Sequence, residues 1–246
     1  QLTDDLAFAR THYPKSDVTS YLNNLSTKVH QDIYRNKKER KNRFVRFWKY
    51  ELPEIFWAHR KEFMASFLFF LVSCIIGAFS AAQDQSFVRL ILGDTYVNLT
   101  LENIEKGEPM GIYGSMAQTD MFFAITFNNI RVSFVAFAFG IASSVGTVYL
   151  LFRNGVMLGS FQYFFYSKGL LLTSVLTIWI HGTIEIISII MAGGAGLIMG
   201  NSWMFPGTLP RLHSLRQGAL KGAKVVLGLV PLFIIAGFLE SFVTRL

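Results

Sequence analysis

One cysteine, Cys74, is all the thiol this 246-residue chain contains. That excludes an intramolecular disulfide framework and any multi-cysteine zinc centre. Charge is scarce as well. Asp, Glu, Lys and Arg make up 16% of the residues, against about a quarter in ordinary soluble domains. Catalytic signatures are missing too: no Gly-x-Ser-x-Gly elbow, Walker A loop or pair of membrane aspartates occurs. The run His181-Gly182-Thr183-Ile184-Glu185 places an acid where a zinc protease needs its second histidine. Residues 1–60 hold no short apolar core followed by a small-residue cleavage site, so no secretory signal is read there. The chain opens on Gln1 rather than Met, and further segments are expected beyond its ends.

What is abundant is apolar: 52% hydrophobic and 15% aromatic residues, 24 of them Phe, with a mean hydropathy of +0.38. About 20 apolar residues cross a bilayer. The fold expected is therefore all-α, a polytopic membrane helical bundle of about five transmembrane segments with an N-terminal cytoplasmic amphipathic helical region. Residues 1–62 form that basic region, and residues 63–246 form the bundle, including an acidic extracytoplasmic segment at 83–120.

The N-terminal 62 residues carry 13 Lys and Arg against 8 Asp and Glu. Asp17 reads as an N-cap, followed by Val18, Leu22, Leu25, Val29 and Ile33 at helical spacing. A shorter helix before it, broken near Pro14, would complete a hairpin. Arg35, Lys37, Lys38, Arg40, Lys41, Arg43, Arg46 and Lys49 then crowd together with Trp48 and other aromatics. Cations interleaved with aromatics suit an interfacial helix on anionic lipid headgroups. A nucleic-acid patch is the competing reading, and the apolar run beginning a dozen residues later favours lipid. No nucleic-acid partner is expected.

Five apolar segments follow, at 63–82, 132–152, 156–167, 170–199 and 225–243. Between the first two, residues 83–120 hold six acids against Arg89 and Lys106; between the last two lie Arg211, Arg216, Lys221 and Lys224 with no acid. The positive-inside rule puts the basic loop and the N-terminus in the cytoplasm and the acidic segment outside. An odd number of crossings must then separate the two loops. The short third segment, 156–167, is expected to span for that reason. The acidic segment carries its own apolar pattern and is expected to lie over the bundle as a lid.

Ionisable groups inside apolar spans are costly and hence informative. His181 and Glu185 stand four residues apart on one helix face, near mid-span. A proton or ion relay, a polar hinge and a buried pair joining helices are the readings, the last being the simplest. Glu240 ends the last span, and Arg131 opens the second beside Asn128 and Asn129. An Arg131–Glu240 ion pair supported by the two amides is expected. Gly155 and Gly159, Gly196 and Gly200, and Gly218 and Gly222 are small-xxx-small pairs that let helices approach; packing within one subunit is favoured over a dimer seam.

The runs Phe127-Asn128-Asn129-Ile130-Arg131-Val132 before Gly140, Asn154-Gly155-Val156-Met157-Leu158-Gly159, His181 to Glu185 with the glycines of 193–200, and Ala236 to Thr244 resemble the stage II sporulation protein M family. The resemblance spans nearly the whole chain. It implies that His181, Glu185, Glu240, Arg131 and Asn129 are signature polar positions within the membrane. It also implies a membrane scaffold without catalysis of its own, which in spore formers gathers peptidoglycan-degrading enzymes at the septum. Other members are frequently encoded near an AAA-type ATPase and von Willebrand A domain proteins, and the basic N-terminal section resembles their longer form. The function expected is a non-enzymatic scaffold or anchor of a cell-envelope complex in the cytoplasmic membrane; a transporter or channel subunit with a His/Glu relay is the alternative. Expected partners are anionic lipids, envelope proteins such as that ATPase or von Willebrand A protein, and a candidate second copy. No cofactor or metal is expected.

Overall fold

A computed structural model describes residues 2–34, 43–109, 111 and 117–244, and every element among them is helical. They fall into two compact units, residues 1–47 and 48–246. In the first, α1 (Leu2–His12) and α2 (Asp17–Tyr34) form the expected hairpin. Pro14, which cannot donate within a helix, lies in the break. Ser16 Oγ accepts the Val18 N–H at 3.1 Å, so the cap stands one residue before Asp17. Thr19 Oγ1 donates to the Tyr13 carbonyl at 2.6 Å and Arg10 Nη2 to Asn23 Oδ1 at 2.5 Å, over the buried Leu6 and Ala9. Of the cations expected to meet lipid headgroups, Arg35, Lys37, Lys38, Arg40 and Lys41 lie outside the described residues. Arg43 and Arg46 are exposed on the short α3 (Arg43–Arg46).

A π-helical turn (Phe47–Glu51) leads into α4 (Leu52–Ala58), with Lys49 exposed and Trp48 half-buried. The two units divide at 47/48 rather than at 62/63. Residues 48–62 join the bundle because Lys224 Nζ donates to Glu51 Oε2 at 2.8 Å and Lys221 Nζ lies 3.3 Å from His59 Nε2.

The long helices are α5 (Arg60–Gln83), α8 (Gln118–Ala138), α9 (Val145–Ser167), α10 (Leu171–Met204) and α11 (Arg211–Phe238), with α6 (Gln85–Leu92) and α7 (Asp94–Glu105) between the first two. A 3-10 turn (Phe139–Ile141) extends α8, and a π turn (Leu239–Val243) ends α11. Among the described residues, four helices are long and apolar enough to cross a membrane: Arg60–Gln83, Gln118–Ile141, Leu171–Met204 and Arg211–Val243. The expected second segment, 132–152, instead straddles a sharp reversal at Ser143 and Ser144, both in the left-handed region. Asp120, Asn128, Asn129 and Arg131 had hidden the first half of α8 from hydropathy. The expected third segment, 156–167, is the second half of a 23-residue helix, whose apolar pattern is cut by Arg153 and Asn154.

Backbone approach fixes the order of the bundle. Gly155 sits against Phe70 and Ser73 of α5, and Gly159 sits against Cys74 and Ala78. Both chains ascend together, so α9 runs parallel to α5. A Cβ at Gly159 would fall on the Cys74 carbonyl oxygen. Ser66 Oγ of α5 donates to the Ile190 carbonyl at 2.6 Å, which ties α10 to α5. Gly218 meets Ser202, Gly222 meets Ala195, Gly196 meets Ala136 and Thr147, and Gly200 meets Ser144. All six small-residue positions thus serve helix contacts within one chain.

The far end of α5 and α9 is covered by α6 and α7, through a cluster of Ala81, Val88, Val97, Phe164 and Phe165. The acidic segment is thereby folded over one end of the bundle, while Lys221 and Lys224 lie beside the start of α5 at the other. Asp84 caps α6 by accepting from Ser86 N–H at 2.8 Å and Ser86 Oγ–H at 2.6 Å. These bonds hold its carboxyl below the ordinary carboxylate range.

Three outcomes are expected. Gly159→Ala should lower detergent unfolding stability by about 1–3 kcal/mol through overpacking. Gly182→Ala, which meets only Ile178 at 3.5 Å, should be neutral or gain up to about 1 kcal/mol of helix propensity. A folded-state pKa below the unfolded one means that the Asp84 cap contributes fully at neutral pH and is lost as pH falls through the lowered value. Protection of the α6 amides, relative to the intrinsic exchange rate at each pH, should fall on acidification in the wild type and be low and far less pH-sensitive in Asp84→Ala.

Candidate functional site

Helical spacing gathers the intramembrane polar residues. His181, Glu185 and Ser188 share one stripe of α10, and Thr126, Asn129 and Ser133 share one of α8. Asn129 Nδ2 donates to Glu185 Oε1. The π turn at the end of α11 brings in Glu240, which is 9% exposed, with Oε1 3.7 Å from Nε2 of the buried His181. Such turns interrupt helices mostly where a side chain must be re-aimed. Thr244 Oγ1 donates to the Leu239 carbonyl at 3.2 Å and lies 3.0 Å from His181 Nδ1, while Nε2 of the same ring faces the Glu240 carboxyl.

The expected Arg131–Glu240 ion pair does not form. Asn129 and Arg131 are two residues apart, about 200° around a helix, so only one of them can face inward, and Asn129 does. Arg131 is exposed, and Glu240 meets His181 instead. A charged side chain turned to hydrocarbon at a helix centre costs about 2.5–3.5 kcal/mol. Asn128, also exposed, lines a cavity of about 330 Å³ together with Ala124, Ile125, Asn129, Glu185 and Glu240.

Residue-by-residue reading missed the hydroxyls around this cluster. The buried Thr126, Ser133, Ser188 and Ser241 oxygens lack partners, as does Ser144 near Gly200. Elsewhere the hydroxyls of Ser66, Ser73, Ser160 and Ser202 donate to backbone carbonyls. The missed residues were legible by periodicity, since Ser133 is one turn from Asn129 and Ser188 one turn from Glu185. Toward the basic end the polar stripe stops at a direct backbone contact, where a Cβ on Gly140 would strike the Gly196 carbonyl. Among the described residues no group of three or more His, Cys, Asp and Glu could hold a metal ion. The arrangement gathers His181, Glu185 and Glu240 inside the bundle, and it is closed toward Gly140.

A second feature lies on the opposite flank of α10. An apolar groove of about 880 Å³ is lined by Phe56, Arg60, Cys74, Ala78, Gly159, Gln162, Trp179 and further side chains of α5 and α10. The Gln162 Nε2 on its floor is buried and has no hydrogen-bond partner.

Asn129→Ala, which strands the Glu185 carboxyl, should cost about 1–3 kcal/mol in detergent unfolding. Combining it with Glu185→Ala should cost less than the sum of the single changes; additive losses would refute the contact.

Among known families, the model described as stage II sporulation protein M matches residues 66–245, which takes in α5 from Ser66, the whole polar cluster and Thr244. A family described as a domain of unknown function matches residues 1–35, the α1–α2 hairpin. No curated protein and no solved structure matches the chain. With most of its length and every member of the His181–Glu240 cluster inside the match, the chain belongs to the stage II sporulation protein M family.

Proposed function

We propose that this membrane-embedded protein is a non-enzymatic scaffold or anchor of a cell-envelope complex, held in the cytoplasmic membrane with its N-terminal section on the cytoplasmic side. The orientation rests on charge: Arg60, Lys61, Arg211, Arg216, Lys221 and Lys224 belong to one end of the bundle and the acidic α6–α7 segment to the other. The observation that carries the scaffold reading is the groove between α5, α9 and α10. From Arg60 to Ala78 it follows 18 residues of α5, about 27 Å at about 1.5 Å per residue. A bilayer core is about 30 Å thick, so the groove is longer than one lipid leaflet and matches a transmembrane helix. Ala78, half-buried on its lining, is small enough for a second backbone to come close. An acyl chain would leave the Gln162 amide unpaired, whereas a helix bearing a Ser, Thr or Asn opposite it supplies the acceptor.

The occupant is thus a transmembrane helix of an envelope partner with a hydrogen-bonding side chain at the depth of Gln162. An AAA-type ATPase or von Willebrand A domain partner with such a helix agrees with the family resemblance. The transporter alternative draws on the cavity at Glu185 and Glu240, and the Gly140–Gly196 closure weighs against it.

A photo-crosslinker at Ile75 tests the reading in native membranes. The expected adduct maps to a transmembrane segment of one partner protein and is lost in Ala78→Trp, while Gln162→Leu weakens it several-fold. Adducts confined to lipid, with no protein adduct at any groove position, would contradict it.

A further inference from the structure

Arg131 lies on the stripe of α8 that also carries Ala124 and Asn128, at spacings of four and three residues, and all three are exposed. Arg131 stands on α8 with no hydrogen bond or ion pair among the described residues. Ala124 and Asn128 form the mouth of the cavity that holds the Glu185 and Glu240 carboxyls. One chain therefore presents a cation without a partner among the described residues and, two to seven residues nearer the start of α8, about 3–10 Å at about 1.5 Å per residue, a carboxyl-lined opening that no described cation fills. A long side chain on a helix leans toward that start. On a helical wheel Asn128 leads toward the cavity flank through Ile125 and Asn129, and Arg131 lies to the other side of the Ala124 line.

We infer that two copies of this chain associate about a two-fold axis along the membrane normal, so that Arg131 of each enters the Glu185–Glu240 cavity mouth of the other. A two-fold of this kind preserves depth, and it sets the flank on one side of the contact line against the opposite flank of the second copy. That is the relation between the Arg131 side and the cavity side of α8. The exposed rings of Phe127 and Phe134 lie on the Arg131 side and supply apolar contact around the charge. A heterologous partner helix could satisfy the cation or the cavity, whereas a second copy satisfies both at once and leaves no charge facing lipid. The inference does not rest on the scaffold reading, because the groove between α5, α9 and α10 is on another face and stays open in the pair.

The full chain in native membranes and in nanodiscs of mixed zwitterionic and anionic lipid gives the test. Ala124→Cys should form an intermolecular disulfide on mild oxidation at least ten times faster than Leu227→Cys, an exposed position on α11. By single-molecule photobleaching the wild type should be dimeric, Arg131→Gln should raise the dimer dissociation constant by at least tenfold, and Arg131→Lys should restore most of the association. Because Arg131 makes no hydrogen bond or ion pair among the described residues of its own chain, Arg131→Gln monomers should keep the wild-type unfolding midpoint. A wild type that stays monomeric at all surface densities overturns the inference. So does a dimer indifferent to Arg131→Gln, or equal cross-linking at Ala124 and Leu227. Loss of a different membrane protein from Arg131→Gln, with the chain itself monomeric throughout, assigns the cation to a heterologous partner and overturns it as well.

Discussion

The Asn129–Glu185 and His181–Glu240 contacts are the constraint around which the bundle is arranged. A carboxyl cannot be taken into an apolar helix seam unless something donates to it or shares a proton with it. Asn129 meets one acid from α8, and His181 meets the other across the π turn of α11. With the His181–Thr244 hydrogen bond, these contacts cross between three helices that also approach through small residues and apolar packing. In lipid no hydrophobic force drives helices together, so polar contacts of this kind carry information that apolar packing lacks. They set which face of α8 turns inward, and that choice leaves Arg131 outside.

Much of the fold was legible because it follows from composition and period. The helical class, the hairpin at Pro14, the acidic segment over one end and the glycine contacts all rest on single-residue physics that survives without tertiary knowledge. The boundaries of α8 and α9 did not. Hydropathy reads a polar residue as an end of a span, yet Asn129 sits within α8 because Glu185 satisfies it, and Arg153 and Asn154 sit within α9. The reversal at Ser143 and Ser144 puts two serines, not glycines, in the left-handed region, with Gly140 and Gly146 only flanking it. The site was legible in its members and not in its pairing: His181, Glu185, Glu240 and Asn129 converge, but the Arg131–Glu240 pair would have needed Asn129 and Arg131 on one face.

Two surfaces of the bundle are incomplete in different ways. The groove between α5, α9 and α10 lacks volume and an acceptor for Gln162; the α8 face lacks a counter-charge for Arg131. Each deficit specifies the chemistry of what fills it. A protein whose intramembrane surface is patterned this way reads as a hub for other helices, consistent with the scaffold proposed for it. The polar seam then serves as a joint that holds the hub rigid, with its hydroxyl-lined upper part closed at Gly140 and Gly196.

Whether the seam is a joint or a conduit is the central question, and ion and proton flux in proteoliposomes answers it most directly. The account predicts that wild-type protein under an imposed pH gradient or membrane potential conducts no faster than protein-free vesicles. A saturable flux in the wild type that Glu185→Gln abolishes, with the protein still folded, would contradict it.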